Sequence, residues 1–374
     1  MKSNPAKQTA AELLPFSVAR KMVEVEAARL RPAGAETVRL LRSPGRVLAE
    51  EVTAERDLPP FPRATRDGYA VRAADLARLP AELRVVGEIR AGGALDPSLG
   101  PVAAGCAAEI MTGAPVPPGA DAVVMVEYAS RRGDRVTIER AVAAGENVVP
   151  RGSEARRGDV LLRRGTRMTP AAIAAAAAAG KAEVRVHSRP RVAILPTGDE
   201  LVEIAAEPGE NQIRNSNSYS LAAQVEAAGG EAAQLAIAPD QREPLRRLLE
   251  EGLGADLLLV SGGVSAGKHD LVEEVLSQLG AEFVFTGALI QPGRPVVFGR
   301  APRRPGAEAT PFFGLPGNPV STMACFELFV RPVLDALSGA LPAPLQFVKA
   351  RLKSEVKTRP GLTRFLPAVL TGEF

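Results

Sequence analysis

Apolar positions near the start of the chain recur at helical intervals. Val18, Met22 and Val25 are spaced three or four residues apart, which predicts a helix over residues 16–29. A similar spacing continues over residues 37–48 and predicts a second helix. The sequence therefore predicts a helical N-terminal segment.

Between residues 54 and 143 the pattern changes to short β-like runs that alternate with turns rich in glycine and proline. This alternation is typical of a compact all-β module, inserted here into the helical segment. The runs that carry it are Tyr69–Val71, Leu83–Val86, Ala122–Val126 and Arg135–Ile138. After residue 143 the chain returns to turns, and Thr169 followed by Pro170 predicts the start of an alanine-rich helix.

From residue 187 to residue 337 apolar strands alternate with helical patterns, which is typical of a parallel α/β domain. A linker rich in alanine and proline follows over residues 338–345. The β-like runs 348–352 and 365–370 then predict a short C-terminal β tail, too small to fold alone.

The predicted fold class is thus multidomain, α/β plus β. We expect four parts, each given by its residues: an N-terminal helical and linking domain (1–53 and 144–186), an inserted β domain (54–143), an α/β domain (187–337) and a partial C-terminal β domain (338–374). A chain of 374 residues is long enough for this division.

Composition excludes several classes of function. The 46 Lys and Arg residues nearly balance the 43 Asp and Glu residues, and the chain has no Trp, so nucleic acid is not an expected partner. Two histidines and two distant cysteines are too few for a zinc site or a disulfide framework. No signal peptide or membrane-spanning stretch is recognised, so we expect a cytoplasmic protein without membrane contact.

The segment 256–270 is the strongest candidate for a binding site. Four apolar residues predict a buried strand, and a glycine-rich turn leads from it to a helical pattern starting at Leu271. Glycines at such a turn let the backbone approach an anion, so the turn predicts a phosphate site. Gly262, Gly267 and Lys268 also match part of a P-loop, but His269 stands where Ser or Thr should hold magnesium.

Two further strand ends carry polar turns. The strand 192–195 ends in Pro196–Leu201, and the strand 312–315 ends in Pro316–Ser321. The polar run 212–218 lies between them and opens a helix. Because open α/β sheets bind ligands at the carboxyl ends of their strands, we expect the three turns to meet in one crevice.

Carboxylates accompany these turns. Asp67 precedes a glycine turn, Asp199 and Glu200 follow a strand, and Asp270 stands at the start of a helix. Taken singly, each is explained as a turn or capping residue. Together with an anion site they predict a magnesium ion, which prefers carboxylate oxygens and bridges phosphates.

Seven segments resemble, in order, the molybdopterin molybdenumtransferases, the molybdenum insertase family that includes bacterial MoeA and the C-terminal domain of gephyrin. They are Arg66–Arg72, Ile110–Pro117, Gly119–Val124, Pro196–Leu201, Ser261–Asp270, Gln291–Pro295 and Leu315–Ser321. So many long motifs in the family's order are far more specific than any one of them.

The resemblance implies an enzyme that inserts molybdenum from molybdate into adenylylated molybdopterin, releases AMP and requires Mg2+. It implies catalytic roles for Asp67, Thr112, Glu200, Asp240 and Asp270, with Glu200 and Asp270 as metal ligands. It also implies a cofactor-binding set composed of Ser261, Gly262, Gly263, Ser265, Gly267, Arg294, Pro316, Gly317, Asn318, Pro319 and Ser321. Molybdate is expected near Arg294 and Ser321, because a small dianion needs a cation and hydroxyl donors.

The family implies a homodimer whose cleft pairs the α/β domain of one subunit with the β module of the other. It also implies a separate adenylyltransferase that supplies the substrate. The chain departs from the family at Arg63 and Arg66, which add two cations before Asp67, and at Gln291 and Arg294, which replace two lysines. Two alternatives are a P-loop-like nucleotide-phosphate enzyme that uses Gly262 to Lys268 and a non-catalytic scaffold of the same fold.

Overall fold

The computed structural model describes residues 13–93, 100–263, 271–303, 309–358, 360–369 and 371. The chain forms two compact units. One comprises residues 1–50, 164–173 and 182–374, and the other comprises residues 51–163 and 174–181. The expected division into four domains stays a prediction.

The helices are short, and strands separate all of them except the last two. In chain order they are α1 (Phe16–Ala27), α2 (Pro170–Ala178), α3 (Asn217–Ala227), α4 (Arg242–Gly252), α5 (Leu271–Gln278), α6 (Pro319–Cys325) and α7 (Arg331–Leu337). A π-helical turn, Phe326–Val330, joins α6 to α7. None of the helices described is long and apolar enough to span a membrane.

The strands of the first unit are β1 (Ala35–Arg39), β12 (Glu183–His187), β13 (Arg191–Pro196), β14 (Leu201–Val202), β15 (Ile213–Arg214), β16 (Glu231–Gln234), β17 (Leu257–Ser261), β18 (Glu282–Phe285), β19 (Ile290–Gln291), β20 (Val297–Pro302), β21 (Ala309–Leu315) and β22 (Thr363–Arg364). The strands of the second unit are β2 (Val52–Thr53), β3 (Arg63–Ala64), β4 (Gly68–Val71), β5 (Ala81–Ile89), β6 (Cys106–Ile110), β7 (Ala122–Met125), β8 (Ala129–Arg132), β9 (Arg135–Ile138), β10 (Val148–Val149) and β11 (Val160–Leu162).

The first unit is built around a six-stranded sheet in the order β16-β13-β17-β21-β20-β18. Alternate residues of each strand face opposite layers, as the period of two requires. Ile194 packs in the core with α1, α3, α6 and α7, while its neighbour Leu195 packs in the core with α4 and α5. Helices therefore cover both faces of the sheet, the layered arrangement expected for an α/β domain.

The predicted parallel α/β sheet is parallel over four strands and antiparallel at one edge. Strands β16, β13, β17 and β21 are parallel, whereas β20 pairs antiparallel with both β21 and β18. Alternating strand and helix patterns along the sequence do not distinguish a parallel edge strand from an antiparallel one. An antiparallel neighbour needs only a short connection, and such strands are common at the edges of α/β sheets.

The predicted helix over residues 37–48 is also wrong. Residues Ala35–Arg39 form β1, which pairs antiparallel with β12, and a 3-10 turn follows at Leu40–Arg42. Thr37 and Val38 are β-branched and favour an extended chain. The partner strand lies more than 140 residues away in sequence, so helical spacing alone misassigned this segment.

The tail contains less regular structure than predicted. Among the described residues after 337, only β22 is a strand, and it pairs with β19. The expected strand over 348–352 is absent, and Phe347, Val348 and Leu352 are largely exposed. The expected run over 365–370 is likewise not a strand in its described part, although Phe365 N donates to Gln291 O at 2.8 Å.

The second unit confirms the predicted β character of its segment. Its six-stranded sheet has the order β7-β4-β6-β5-β9-β8 and is antiparallel except for the pair β5–β6. Each face of the sheet has its own apolar core. All four predicted β runs fall within or overlap β4, β5, β7 and β9.

Candidate active site

Three polar turns meet at the carboxyl edge of the parallel strands in the first unit. Ser261 at the end of β17 pairs with Pro196 on one side and with Leu315 on the other. The backbone continues this alignment, because Thr197 N donates to Ser261 O at 2.9 Å and Gly262 N donates to Leu315 O at 3.1 Å. The residues that follow the three strands therefore start side by side, as expected for an α/β ligand crevice.

The turn after β17 depends on glycine. Gly262 and Gly263 have φ angles of 88° and 63°, a region that other residues rarely adopt. A Cβ on Gly262 would lie 2.5 Å from Thr197 O, and one on Gly263 would lie 2.5 Å from Thr197 Oγ1. The two turns are thus in backbone contact. The remaining predicted residues of this turn, Ser265, Gly267 and Asp270, lie outside the described residues.

The turn after β21 is fixed by side chains of its own motif. Asn318 Oδ1 accepts from the backbone N–H groups of Val320 at 3.0 Å and Ser321 at 3.2 Å, so Asn318 is the N-cap of α6. Pro319 occupies the first turn of that helix, where its missing N–H costs nothing. Thr322 Oγ1 donates to Pro316 O and holds the start of the turn against the helix.

Asn217, which no sequence pattern singled out, connects these elements. Its Nδ2 donates to Ser261 Oγ at 3.0 Å and to Gly317 O at 2.8 Å, and lies 3.5 Å from Thr322 Oγ1. The polar run 212–218 predicted the start of a helix, which is α3. Nothing in that run distinguished Asn217 from Asn215, whose side chain accepts from Ser218 N at 3.2 Å.

Two carboxylates predicted to be catalytic, Glu200 and Asp240, lie in one acidic group. Asp240 N donates to Asp199 Oδ1 at 3.0 Å. Asp240 lies at the surface, yet partial burial of its carboxyl group raises its pKa, and repulsion from Asp199 and Glu200 raises that pKa further. Within the described ranges, no three His, Cys, Asp or Glu side chains converge as a metal site, so magnesium ligation by Glu200 and Asp270 stays a prediction.

Arg294 belongs to a turn that packs against α6. Its side chain is exposed, and its carbonyl oxygen accepts from Ala288 N at 3.0 Å. At the preceding Gly293, a Cβ would lie 2.3 Å from Cys325 Sγ and 3.7 Å from Ser321 O. The predicted pair Arg294 and Ser321 therefore lies on two segments that pack closely together.

Asp67 and Thr112 are brought together in the second unit. Asp67 Oδ1 accepts from Thr112 N at 2.6 Å and from Thr112 Oγ1 at 2.8 Å. These bonds, the backbone one first, lower the pKa of the Asp67 carboxyl group. Asp67 is thus held as an exposed, ionised carboxylate at neutral pH, 45 residues in sequence from its partner.

A cavity of about 600 Å³ lies at the opposite, amino edge of the same parallel strands. Pro190, Asp256 and Ala309, which line it, each precede or begin a strand. Its volume suits a small ligand, but none of the predicted site residues lines it. The candidate active site is therefore the carboxyl edge.

Comparison with known proteins agrees with the motifs. A family model described as "MoeA N-terminal region (domain I and II)" matches residues 14–180, and one described as "Probable molybdopterin binding domain" matches residues 193–336. The chain is 34% identical to the molybdopterin molybdenumtransferase of Synechococcus elongatus over 368 residues, which is 96% of this chain and 89% of that protein. Against the Staphylococcus aureus (strain Mu50) molybdopterin molybdenumtransferase it is 34% identical over 342 residues, 90% of this chain and 79% of that protein.

Solved structures give the same result. A molybdopterin biosynthesis MoeA protein from Pyrococcus horikoshii OT3 superposes with a TM-score of 0.70 at 34% identity, covering 88% of this chain and 80% of that one. Another MoeA structure from that organism gives a TM-score of 0.66 at 33% identity, with 87% and 80% covered. The chain belongs to the molybdopterin molybdenumtransferase family, which confirms the resemblance, and it is a transferase of molybdenum cofactor biosynthesis. The P-loop alternative is not favoured.

Proposed function

We propose that this protein inserts molybdenum from molybdate into adenylylated molybdopterin and releases AMP. The observation that carries the proposal is the convergence of the turns after β13, β17 and β21 beside the acidic group at Glu200. A phosphate needs close backbone approach and hydroxyl donors, and the turn Ser261–Gly263 offers both. The scaffold alternative gives no reason for such a turn to adjoin the carboxyl group of Asp240, whose pKa is raised.

Chemistry at this edge consists mainly of positioning two anions beside a dithiolene. In the proposal, Ser261, Gly262 and Gly263 hold the adenylyl phosphate together with Ser265 and Gly267. Molybdate lies between Arg294 and the turn Pro316–Ser321. The close packing of Gly293 on α6 supports this pairing of a cation with hydroxyl and backbone donors.

The donor set at the acidic group fits magnesium. Carboxylate oxygens are the ligands that magnesium prefers. Partial burial raises the pKa of Asp240, and repulsion from Asp199 and Glu200, which a cation would relieve, raises it further. Glu200 and Asp270 would hold the ion, which supplies positive charge opposite the phosphate. Asp240 and Asp199 then contribute negative charge beside it.

The protein is proposed to act as a homodimer, in which Asp67 and Thr112 of one subunit complete the site of its partner. The family resemblance supports this arrangement. So does an apolar face on α1, where Val18 and Val25 are 44% and 43% exposed beside Met22 and Val284. A separate adenylyltransferase would supply the substrate. A cytoplasmic location accords with two buried cysteines that form no disulfide.

The test is AMP release from adenylylated molybdopterin with magnesium, measured with and without molybdate. Wild type should release AMP only when molybdate is present. Glu200→Ala should lower the rate about 10²-fold, because the magnesium ion that balances the charge of the reacting phosphate would lose a ligand. Glu203→Ala is the matched control, since Glu203 is an exposed carboxylate three residues farther on. A folded, dimeric wild type that releases no AMP would refute the proposed function.

A further inference from the structure

The amide of Asn217 is shared by three segments of the candidate site. Asn217 is the first residue of α3, and its Nδ2 donates to Ser261 Oγ at 3.0 Å and to Gly317 O at 2.8 Å. An amide nitrogen carries two hydrogens, and these two short contacts use both. Asn217 therefore ties the end of β17 to the turn after β21.

The orientation of this amide is set by its partners. The carbonyl oxygen of Gly317 can only accept, so the nitrogen of Asn217 must face it. Asn217 Oδ1 consequently points elsewhere, and it is buried without a hydrogen-bond partner in the described part of the chain. Leaving a buried acceptor unpaired is costly unless a ligand completes it.

The hydroxyl of Ser261 is left with an unused hydrogen. Ser261 Oγ accepts from Asn217, so its own hydrogen must point away from the amide. Among the described residues, Ser261 Oγ donates to no acceptor, although Ser261 is only 3% exposed. A hydroxyl that accepts one bond also becomes a stronger donor of another.

We propose that Asn217 is a positioning residue that aims the Ser261 hydroxyl at an anionic phosphate oxygen. The inference rests on the proposed function, because it assigns the phosphate to the adenylyl group of the substrate. Ser261 immediately precedes the turn Gly262–Gly263, where the backbone is open to an anion. Asn217 Oδ1 is then free to accept a hydrogen bond from a donor on the same ligand.

The test measures AMP binding by calorimetry in the full-length protein and needs no turnover. Asn217→Ala and Ser261→Ala should each weaken AMP binding about tenfold, as expected for one hydrogen bond to a charged group. The double variant should bind no more weakly than Ser261→Ala alone, because Asn217 acts through Ser261. Losses that add in the double variant would overturn the inference.

Gln224→Ala is the matched control. Gln224 lies seven residues farther along the same face of α3, and its Nε2 donates to Met323 O at 3.3 Å and to Glu327 Oε1 at 3.1 Å. Its loss should lower the melting temperature and leave the AMP dissociation constant unchanged. If Gln224→Ala weakens AMP binding as much as Asn217→Ala, then Asn217 only packs α3 on α6 and the inference fails.

Asn217→Asp provides a second variant of the same size. A carboxylate at this position would draw the Ser261 hydrogen toward itself and add negative charge beside the phosphate. AMP should therefore bind more weakly to Asn217→Asp than to Asn217→Ala, and equal or tighter binding would contradict the inference.

The AMP-release assay separates the two hypotheses. A wild type that shows this binding pattern but releases no AMP from adenylylated molybdopterin overturns the proposed function alone. A wild type that releases AMP, while Asn217→Ala leaves AMP affinity unchanged, overturns the role of Asn217 alone. Failure of the wild type to bind AMP at all overturns the role of Asn217.

Discussion

Asp67 and Thr112 are joined by two hydrogen bonds to one carboxylate oxygen. Oδ1 of Asp67 accepts from the backbone N–H of Thr112 at 2.6 Å and from its hydroxyl at 2.8 Å. Both bonds favour the ionised carboxylate, so they lower its pKa. The threonine thus holds a charged group in place on the surface of the second unit.

Thr112→Val should raise the pKa of Asp67 part of the way toward its ordinary value, because it removes the hydroxyl donor and keeps the backbone donor. NMR titration of the Asp67 side-chain carboxyl carbon measures this change. Thr112→Ser keeps the hydroxyl and should leave the pKa low. An unchanged pKa in Thr112→Val would show that the hydroxyl contributes nothing.

The sign of the pH effect at Asp67 follows from its lowered pKa. The folded state binds its proton less tightly than the unfolded chain does, so the contribution to stability is present above the unfolded pKa. It is lost as the pH falls through the folded pKa. Acid denaturation of Thr112→Val should therefore depend less on pH below about pH 4 than that of wild type.

Asp240 should behave in the opposite way. Because its pKa is raised, the folded state favours the protonated form, and stability falls as the pH rises from the ordinary carboxyl pKa through the raised one. Asp240→Asn should therefore be slightly more stable than wild type at pH 7, by less than about 1 kcal/mol after solvent screening. Urea denaturation at pH 4 and pH 7 measures the difference. A variant that is less stable at pH 7 would contradict the repulsion described.

Gly262→Ala should destabilise the protein by about 1–3 kcal/mol more than a glycine substitution that meets no neighbour. The added Cβ would lie 2.5 Å from Thr197 O. Gly45→Ala is the control, since Gly45 also has a positive φ, 75°, but a Cβ there meets nothing within 4 Å. Chemical denaturation compares the two variants. Equal losses would mean that the turns after β13 and β17 can separate without cost.

Cys325 should be inert to thiol reagents in the folded protein. It is fully buried, and burial raises the pKa of its thiol to about 12, so at pH 8 the thiolate fraction is roughly 10⁻⁴. Reaction with a chromogenic disulfide should therefore follow unfolding of the protein. Because Cys106 is also a buried thiol, Cys325→Ser is needed to identify how much of the thiol reaction comes from Cys325. Rapid reaction of the native protein at Cys325 would contradict this burial.

Local patterns predicted those parts of the fold that local interactions decide. The helical spacing after Phe16 gave α1, and the apolar run before Gly262 gave β17. Residues 37–48 were misassigned because their strand partner is β12, far along the chain. A pattern of apolar spacing carries no information about such distant pairing.

In the candidate site, too, local patterns were recognised and contacts between distant segments were missed. The glycine turn and the motif Pro316–Ser321 were recognised as polar corners at strand ends, and the structure aligns those ends. Asn217 was missed because its contacts join segments 44 and 100 residues away in sequence. The role of Asn217 depends on its hydrogen bonds to Ser261 Oγ and Gly317 O, and the sequence of the polar run does not reveal those partners.

The π-helical turn Phe326–Val330 decides where this helix tolerates a change of length. Such a turn holds one residue more than an α-helical turn, and each residue of a helix advances the side-chain direction by about 100°. Deleting one residue there would restore a regular helix. It would also keep Val333, Leu334 and Leu337 facing the core they now fill, because the turn accommodates one extra residue within a single rotation. The helix can therefore lose one residue within the π-helical turn, whereas one residue lost from α7 would rotate the apolar side chains that follow by about 100°.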